Sequence, residues 1–566
     1  MNKDEFNKVW LSSYPKEVPA SIAYPEIPVT DLLVQSAKDF PNHDAISFMG
    51  KTMKYNELMN DVYKFAHGLK QLGIKKGDRI SLLLPNSPQS VISYYGALLL
   101  GAIVVQNNPM YTERELEHQL VDSGSETIVT LDLLYPKVMN IRSKTFLKTI
   151  IVTSIKDYLP FPKNLLYNLK LKKEGQYVPI PKQDGVCFFS KLLKSQPVFP
   201  IRVSIDPKED IALLQYTGGT TGVAKGVMLT HYNLVANVVQ ETHWLYQAKK
   251  GQERILGVLP FFHVFGMTSV MNLSIHLAST MILLPRFKAE EILETIQREK
   301  PTFFPGAPTM YIALLNHPNV KQYDLSSINA CISGSAPLPL EVQEKFEKLT
   351  GARLVEGYGL TETSPVTHAN PIWQKRKTGS IGLPWPDIDA KIVDPVTAED
   401  VEHGGIGELA IKGPVVMKGY WNRPEETTKV FLNGWLLTGD MATMDDEGYF
   451  YIVDRKKDMI IAGGYNIYPR EVEEVLYEHE AVQEAVVIGI PDPYRGETVK
   501  AFIVLKQGVT ITEKELDVFC RERLAAYKIP RAYEFRTELP KTMVGKILRR
   551  ALVAEEKKKI DQDKVS

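Results

Sequence analysis

The sequence predicts an α/β protein, with a large N-terminal domain of mostly parallel sheets, a small β subdomain at its end, and a small mobile C-terminal α+β domain. Three observations lead there. From about residue 30 to 430, short apolar runs alternate with amphipathic segments, the texture of parallel strands covered by helices. A glycine-rich loop follows directly on the apolar run "IALLQY", where open parallel sheets place their ligands. After about residue 400, glycine turns and alternating strands take over, and a compact unit of helices and strands closes the chain.

In chain order, "YNELMNDVYKFAHGLKQLG" reads as an amphipathic helix stopped at Gly73, and "DRISLLL" and "AIVVQ" as strands. The longest apolar stretch, "VISYYGALLLGAIVV" at 91–105, falls short of the roughly 20 residues a spanning helix needs. It reads as a buried helix running into a core strand. Residues 160–200 carry repeated prolines and a lysine-rich piece and read as an insertion. A solvated loop and a basic amphipathic segment docked on a membrane surface are both open readings of it. "AEEILETIQREKPTFFPGAP" predicts helix, strand and turn; "SSINACISGSAPLPLEVQEKFEKLTG" predicts strand, loop and helix. "GIGELAIKG" and "GYFYIVD" predict antiparallel β structure. The expected domains are 1–454 (insertion about 160–200, small β region about 385–454), a hinge at 455–458, and 459–566.

Composition excludes several classes. Lys plus Arg equals Asp plus Glu, 67 each, so no global field draws the chain to nucleic acid, and no nucleic-acid partner is expected. Cys187, Cys331 and Cys520 lie far apart with no C-x-x-C spacing, which argues against a disulfide framework or a zinc site and fits a reducing compartment. "MNKDEFNKVW" is not a signal peptide. A cytoplasmic location is expected, with the inner face of the membrane as the alternative that the insertion leaves open.

Four motifs carry chemistry. "LLQYTGGTTGVAKGVMLTH" offers loop amides and the hydroxyls of Thr217, Thr220 and Thr221 to phosphate oxygens, with Lys225 as a point charge. It departs from the usual phosphate loop, because Lys225 is followed by Gly226 instead of a metal-binding hydroxyl. "LVEGYGLTETSPV" sets Tyr358 between Gly357 and Gly359, then Thr361 and Glu362. That is an aromatic suited to a base, followed by a carboxylate suited to Mg²⁺. Thr361 and Glu362 would equally open a helix as cap and first-turn acid. "NGWLLTGD" ends on Asp440, a carboxylate suited to the paired hydroxyls of a ribose, and "LPKTMVGKILRRAL" places Lys546 in a polar loop.

Together with "PFFHVFG" and "DRKKDMIIAGGYNIYPREVEE", these motifs resemble the adenylate-forming superfamily of acyl-CoA synthetases, luciferases and peptide-synthetase adenylation domains. The resemblance covers nearly the whole chain and is closest to bacterial long-chain fatty-acid CoA ligases. It implies that ATP and a fatty acid give an acyl-adenylate, which coenzyme A then converts to acyl-CoA and AMP. It also implies Mg²⁺ as cofactor. Ligation of medium-chain or aromatic acids remains an alternative, and a non-catalytic acyl-binding or nucleotide-binding protein a more distant one. Small molecules are the implied partners, and a homodimer is compatible.

Carried over by motif, the resemblance assigns phosphate binding to Thr217, Gly218, Gly219, Thr220, Thr221, Gly222 and Lys225. Gly334, Ser335, Ala336, Gly357, Tyr358 and Gly359 would form the adenine slot. Thr361 would contact the α-phosphate, Glu362 with Thr217 would hold Mg²⁺, and Asp440 with Arg455 would grip the ribose. Lys546 would be the principal catalytic residue of adenylation, with His263 orienting the acyl carboxylate. Lys457 would be the hinge, and Gly463, Gly464 and Tyr465 would line the coenzyme A tunnel. Some relatives gate the acyl tunnel with a Trp four residues after the His; this chain has Met267 there.

Overall fold

The computed structural model describes residues 8–194, 196–201, 203–217, 224–462, 465–542 and 547–563. Its central sheet has eight strands. Six of them, Ile211–Thr217, Ile103–Gln106, Arg79–Leu83, Thr127–Leu131, Thr149–Thr153 and Val186–Phe188, run parallel in that spatial order. Lys225–Thr230 then pairs antiparallel with Ile211–Thr217, and Gly419–Tyr420 pairs antiparallel with Lys225–Thr230. The mostly apolar character of "RISLL" and "IVVQ" follows from this position, since strands covered on both faces need no polar side. "VISYYGALLLGAIVV" is the buried helix Pro88–Leu99 running into the strand Ile103–Gln106, as expected.

A second sheet joins Arg254–Gly257, Thr280–Leu283 and Asp44–Phe48 in parallel, with Lys51–Lys54 as an antiparallel edge. A third places Ala330–Ser333 parallel to Arg353–Gly359, followed by two short antiparallel strands. The strand expected in "PTFFPG" is not a ladder. Phe303 and Gly306 make only single bridges, to Ile255 and Ala330 and to Ser333. Pro301 and Pro305 have no N–H to donate, so pairing cannot propagate through them.

The insertion also differs from expectation. Residues 163–173 form an exposed helix, but Val186–Phe188 is the edge strand of the central sheet, paired parallel with Thr149–Thr153. Phe189 and Leu193 then bury against the large core. The prolines around them masked an integral element.

Beyond residue 385 a five-stranded antiparallel sheet forms from Asp389–Val393, Gly407–Lys412, Trp435–Met444, Phe431–Leu432 and Phe450–Arg455. A last sheet, built on the long hairpin Val482–Asp492 and Gly496–Leu505, carries helices Pro469–Tyr477 and Glu513–Arg521. Its core (Ile460 to Ile529) is separate from the large one (Trp10 to Phe450). A further cluster under the terminal helix Arg549–Asp563 packs Leu552 on Val486 and Phe502. The molecule is thus a large N-terminal domain of mixed α/β sheets and a small C-terminal α+β domain. The three cysteines are free, with Cys331 and Cys520 buried. No helix among the described residues is long and apolar enough to cross a membrane.

Candidate active site

Between the two domains lies a cleft of about 2700 Å³. Its walls come from the ends of strands. Thr217 closes the carboxyl end of a strand parallel to its neighbour Ile103–Gln106, and it pairs across the sheet with Lys225. Gly218, Gly219, Thr220, Thr221 and Gly222 lie outside the described residues, as do Gly463, Gly464 and Lys546. The residues flanking Lys546 on either side, Thr542 and Ile547, do line the cleft.

The wall opposite is the strand Arg353–Gly359. Gly359 is required there, because a Cβ would sit 1.8 Å from the Pro365 carbonyl oxygen. Tyr358 donates its hydroxyl to Asp440 Oδ2 at 2.6 Å, and Arg455 Nε meets Asp440 Oδ1 at 2.7 Å. Asp440 and Arg455 are register partners on adjacent antiparallel strands, so the sheet itself aligns them. The Asp440 carboxylate is 2% exposed. Its charge, more than any other neighbour, raises the Arg455 guanidinium above its usual range. Each carboxylate oxygen holds one protein donor and retains a second lone pair, so the group can still accept two ribose hydroxyls.

Glu362 sits in the one-turn helix Thr361–Thr363, and its Oε1 accepts the Tyr420 hydroxyl at 2.8 Å. The Lys225 ammonium lies 5.0 Å from the centre of the Tyr420 ring and 2.6 Å from Glu426 Oε2. Lys225, first and Lys429 after it, draws the Glu426 carboxyl down to about 2. One tyrosine therefore couples the acidic and basic groups of two distant motifs. Neither Tyr420 nor Glu426 was singled out in the sequence; "GYWNRPEE" gives no pattern that marks them.

Gly334, Ser335 and Ala336 follow the strand Ala330–Ser333 and line the same cleft, with Ser335 at φ 72°. His263 lines it too. Its Nδ1 accepts from the Phe265 N–H at 3.3 Å, capping a short helical turn. Met267 is fully buried at the start of the π-turn Met267–Asn272, and Thr268 donates to the Ser364 carbonyl at 2.9 Å, beside the Glu362 turn.

At the domain junction, Lys457 lines the cleft, and burial lowers its ammonium. Lys456 bridges to Glu408 at 2.8 Å. Arg549 reaches three carboxylates: Glu473 through two bonds of 2.7 Å, Asp458 at 3.2 Å and Asp454 at 3.4 Å. This clasp was missed; the first motif arginine, three residues after Lys546, was its only trace. Tyr465 is exposed and stacks on Tyr527 with centroids 4.7 Å apart; it does not line the cleft.

Strand-end loops on one side, a small domain on the other and a shared cleft between them define a two-domain enzyme of nucleotide-dependent chemistry. Residues 33–421 match the family model for the AMP-binding enzyme, and residues 471–546 that for the AMP-binding enzyme C-terminal domain. The chain belongs to the AMP-binding enzyme family. It is 56% identical over 550 residues to a long-chain-fatty-acid–CoA ligase of Bacillus subtilis, covering 97% of this chain and 98% of that one. It is 42% identical to a long-chain-fatty-acid–CoA ligase of Escherichia coli O157:H7, over 98% and 99% of the two chains. Among solved structures it resembles the anthranilate CoA ligase AuaEII in complex with anthranoyl-AMP. There the TM-score is 0.83 at 30% identity, over 95% of this chain and 99% of that one.

Proposed function

We propose that this chain is an AMP-forming long-chain fatty acid–CoA ligase, converting ATP, fatty acid and coenzyme A to acyl-CoA, AMP and diphosphate through an acyl-adenylate. The observation that carries the reading is the convergence of Thr217, Lys225, Tyr358, Glu362, Asp440 and Arg455 on one cleft, although they are spread over 239 positions of sequence. The acyl class follows the long-chain-fatty-acid–CoA ligase of Bacillus subtilis, to which the chain is similar over 97% of its length. The proposed boundaries are 1–454, a hinge at 455–458 turning about Lys457, and 459–566.

In the first half-reaction the fatty carboxylate attacks the α-phosphate and diphosphate leaves. A carboxylic acid is already ionised near neutral pH, so no general base is required. The barrier is the approach of two anions, and positioning with charge cancellation lowers it. Lys225 and the loop Thr217–Gly222 hold the departing phosphates, and Lys225 exchanges its Glu426 partner for them. Tyr358 with Gly334–Ala336, Gly357 and Gly359 encloses the adenine, while Asp440, fixed by Arg455, accepts the ribose hydroxyls. Thr361 donates to the α-phosphate. His263 orients the acyl carboxylate, and Lys546 bridges it to the nucleotide.

No group of three or more His, Cys, Asp or Glu side chains that could hold a metal ion occurs among the described residues. The single carboxylate of Glu362 with the hydroxyl of Thr217 instead suits Mg²⁺, which prefers few protein oxygens and completes its shell with substrate phosphate and water. Bound there, the ion would neutralise phosphate charge. In the second half-reaction the small domain turns about Lys457, and Gly463, Gly464 and Tyr465 line the approach of the coenzyme A thiol to the acyl carbon.

A diphosphate-release assay across acids of increasing chain length, with aromatic acids as controls, tests the reading. Preference for aromatic or medium-chain acids would replace the acyl class while keeping the chemistry. Lys546→Ala should abolish adenylate formation and spare thioester formation from supplied acyl-adenylate; equal loss of both contradicts the role of Lys546. Gly464→Leu should impair the thioester step more than adenylation.

A further inference from the structure

Lys225 already holds an anion of the protein itself. Its ammonium lies 2.6 Å from Glu426 Oε2, in a pair whose lysine side chain is 12% exposed and whose glutamate is 29% exposed. The other carboxylate oxygen, Glu426 Oε1, meets the Lys429 ammonium at 2.9 Å. Lys225 and Lys429 both line the cleft, as does Thr217. The carboxylate therefore has two seats, one oxygen on each ammonium, and it can leave one without losing the other. Lys429 follows Glu426 by three residues in the helix Pro424–Val430, so the second seat moves with the carboxylate.

That helix is tied to the strand Lys225 opens. Tyr420 pairs with Val227 across the sheet, and the Trp421 N–H donates to the Gly226 carbonyl at 2.7 Å. The Thr427 hydroxyl oxygen accepts the Tyr420 N–H at 2.9 Å, which joins the helix to this edge strand. Arg423, just before the helix, meets Asp122 Oδ1 at 2.9 Å, and the Tyr216 hydroxyl donates to Oδ2 of the same carboxylate at 2.7 Å. With its backbone held at these points, Glu426 stays within reach of Lys225, and only its side-chain torsions need change. A carboxylate oxygen and a phosphate oxygen are both anionic acceptors for the same ammonium protons. Phosphate and Glu426 therefore compete for Lys225.

We infer that Glu426 is an internal competitor of diphosphate: it withdraws to Lys429 when nucleotide phosphates reach Lys225, and returns to Lys225 as diphosphate leaves, hastening release. It touches no reacting atom and acts through Lys225, so it is a positioning residue. The inference rests on the proposed role of Lys225 in holding the departing phosphates. It separates ligands by what they carry. ATP and diphosphate must displace the carboxylate, whereas AMP, which has no β- or γ-phosphate, need not. Binding is read without turnover, so the failure of this inference and the failure of the acyl-CoA ligase reading are separable.

The test is calorimetric titration of the full chain with diphosphate, ATP and AMP, each with Mg²⁺ and without acid or coenzyme A. Glu426→Gln keeps the side-chain shape and removes the charge. Its Kd for diphosphate and for ATP should fall about fivefold, while that for AMP stays within about twofold of wild type. Diphosphate dissociation, followed by rapid mixing, should slow by a similar factor. A merely structural role would weaken binding or leave it alone, never tighten it. Glu425→Gln removes the same charge from the exposed residue just before, and should leave all three affinities unchanged. In a Lys225→Met background, Glu426→Gln should add no tightening, because the competitor has lost its target. A Glu426→Gln chain that binds diphosphate no tighter than wild type overturns the inference. Equal tightening by Glu425→Gln, or tightening that survives Lys225→Met, overturns it in favour of a general field effect. A wild-type chain that binds neither ATP nor diphosphate overturns both this inference and the reading beneath it. A chain that responds to Glu426→Gln as expected yet forms no acyl-CoA supports the competitor and overturns only the ligase reading.

Discussion

The two sides of the cleft are held together in different ways. On the large domain, the polar groups are fixed mostly by partners within that domain: Asp440 by Tyr358, with Arg455 joining it from the first residue of the proposed hinge, Glu362 by Tyr420, Lys225 by Glu426. Asp440 lies within the strand Trp435–Met444, Glu362 in the turn just after the strand Arg353–Gly359, and Lys225 at the start of the strand Lys225–Thr230, so elements of the large domain position all three. On the other side, the small domain is tied on by ion pairs and single hydrogen bonds. Arg549 spans Glu473, Asp458 and Asp454; the Arg470 N–H donates to Asp454 Oδ2 at 2.6 Å; and Lys456 bridges to Glu408. Such contacts are few and directional, unlike a shared hydrophobic core. The contrast separates the wall proposed to hold the nucleotide from the edge proposed to turn, which is what two successive reactions in one cleft need.

The sharpest way to break that contrast is to damage the wall. Asp440→Ala leaves the Tyr358 hydroxyl and the Arg455 guanidinium without their acceptor and removes the group proposed to face the ribose. We expect kcat/KM for ATP to fall by about 10²-fold or more, with adenylation and overall turnover falling together. Near-normal ATP kinetics would show that the carboxylate is only a structural strut.

Loosening the edge should act more selectively. Arg549→Ala removes the tie between the terminal helix and Asp454, three residues beyond Lys546. Adenylation should slow about tenfold, through lost positioning, while thioester formation from supplied acyl-adenylate changes by much less. Parallel measurement of the two half-reactions decides, and an equal loss in both would erase the distinction between wall and edge. A smaller effect is expected at Tyr420→Phe, which deletes the hydroxyl on Glu362 but keeps the ring under Lys225. With Glu362 holding Mg²⁺ as proposed, loss of such a supporting bond costs about tenfold or more at metal-binding carboxylates, so the Mg²⁺ concentration for half-maximal rate should rise by about that factor. ATP binding without turnover, titrated against Mg²⁺, should shift in the same direction.

The wall was legible in the sequence and the edge was not, for a physical reason. Strand-end motifs such as "GYGLTET" and "LLTGD" combine glycines that only close backbone approach requires with side chains that only a ligand requires, so they announce themselves. Gly359, with no room for a Cβ, is such a case. Arg549, Glu473 and Asp454 are ordinary charged residues whose meaning lies in which fold surfaces meet, and no local spacing encodes that. The same holds for Val186–Phe188, whose strand character was hidden by neighbouring prolines and became clear only from its parallel partner Thr149–Thr153. Tyr420 reaches Glu362 from 58 residues away and lies in no periodic pattern.

The mildest probe of the comparison is a carboxyl on the wall that faces the edge. Glu356 lies three residues before Gly359, is 8% exposed, and accepts the Leu338 N–H at 3.2 Å. Burial pushes its carboxyl up to about 7; Arg470 from the small domain opposes this, and Glu474 adds to it. In the unfolded chain the group titrates near the ordinary glutamate value, about 4.3. Below that value both states are protonated, and the favourable contribution of the neutral folded form is fully present. As pH rises toward 7 the unfolded chain releases its proton first, so this stability is lost and stays lost above 7. Glu356→Gln keeps an acceptor for Leu338 and removes the titration. It should match wild type in stability near pH 4 and exceed it by about 3.5 kcal/mol at pH 8, the gap opening between the two pKa values. Denaturant midpoints measured across that range check it, and curves that stay parallel would mean that Arg470 keeps Glu356 ionised, making the edge a stronger partner of the wall than its geometry implies.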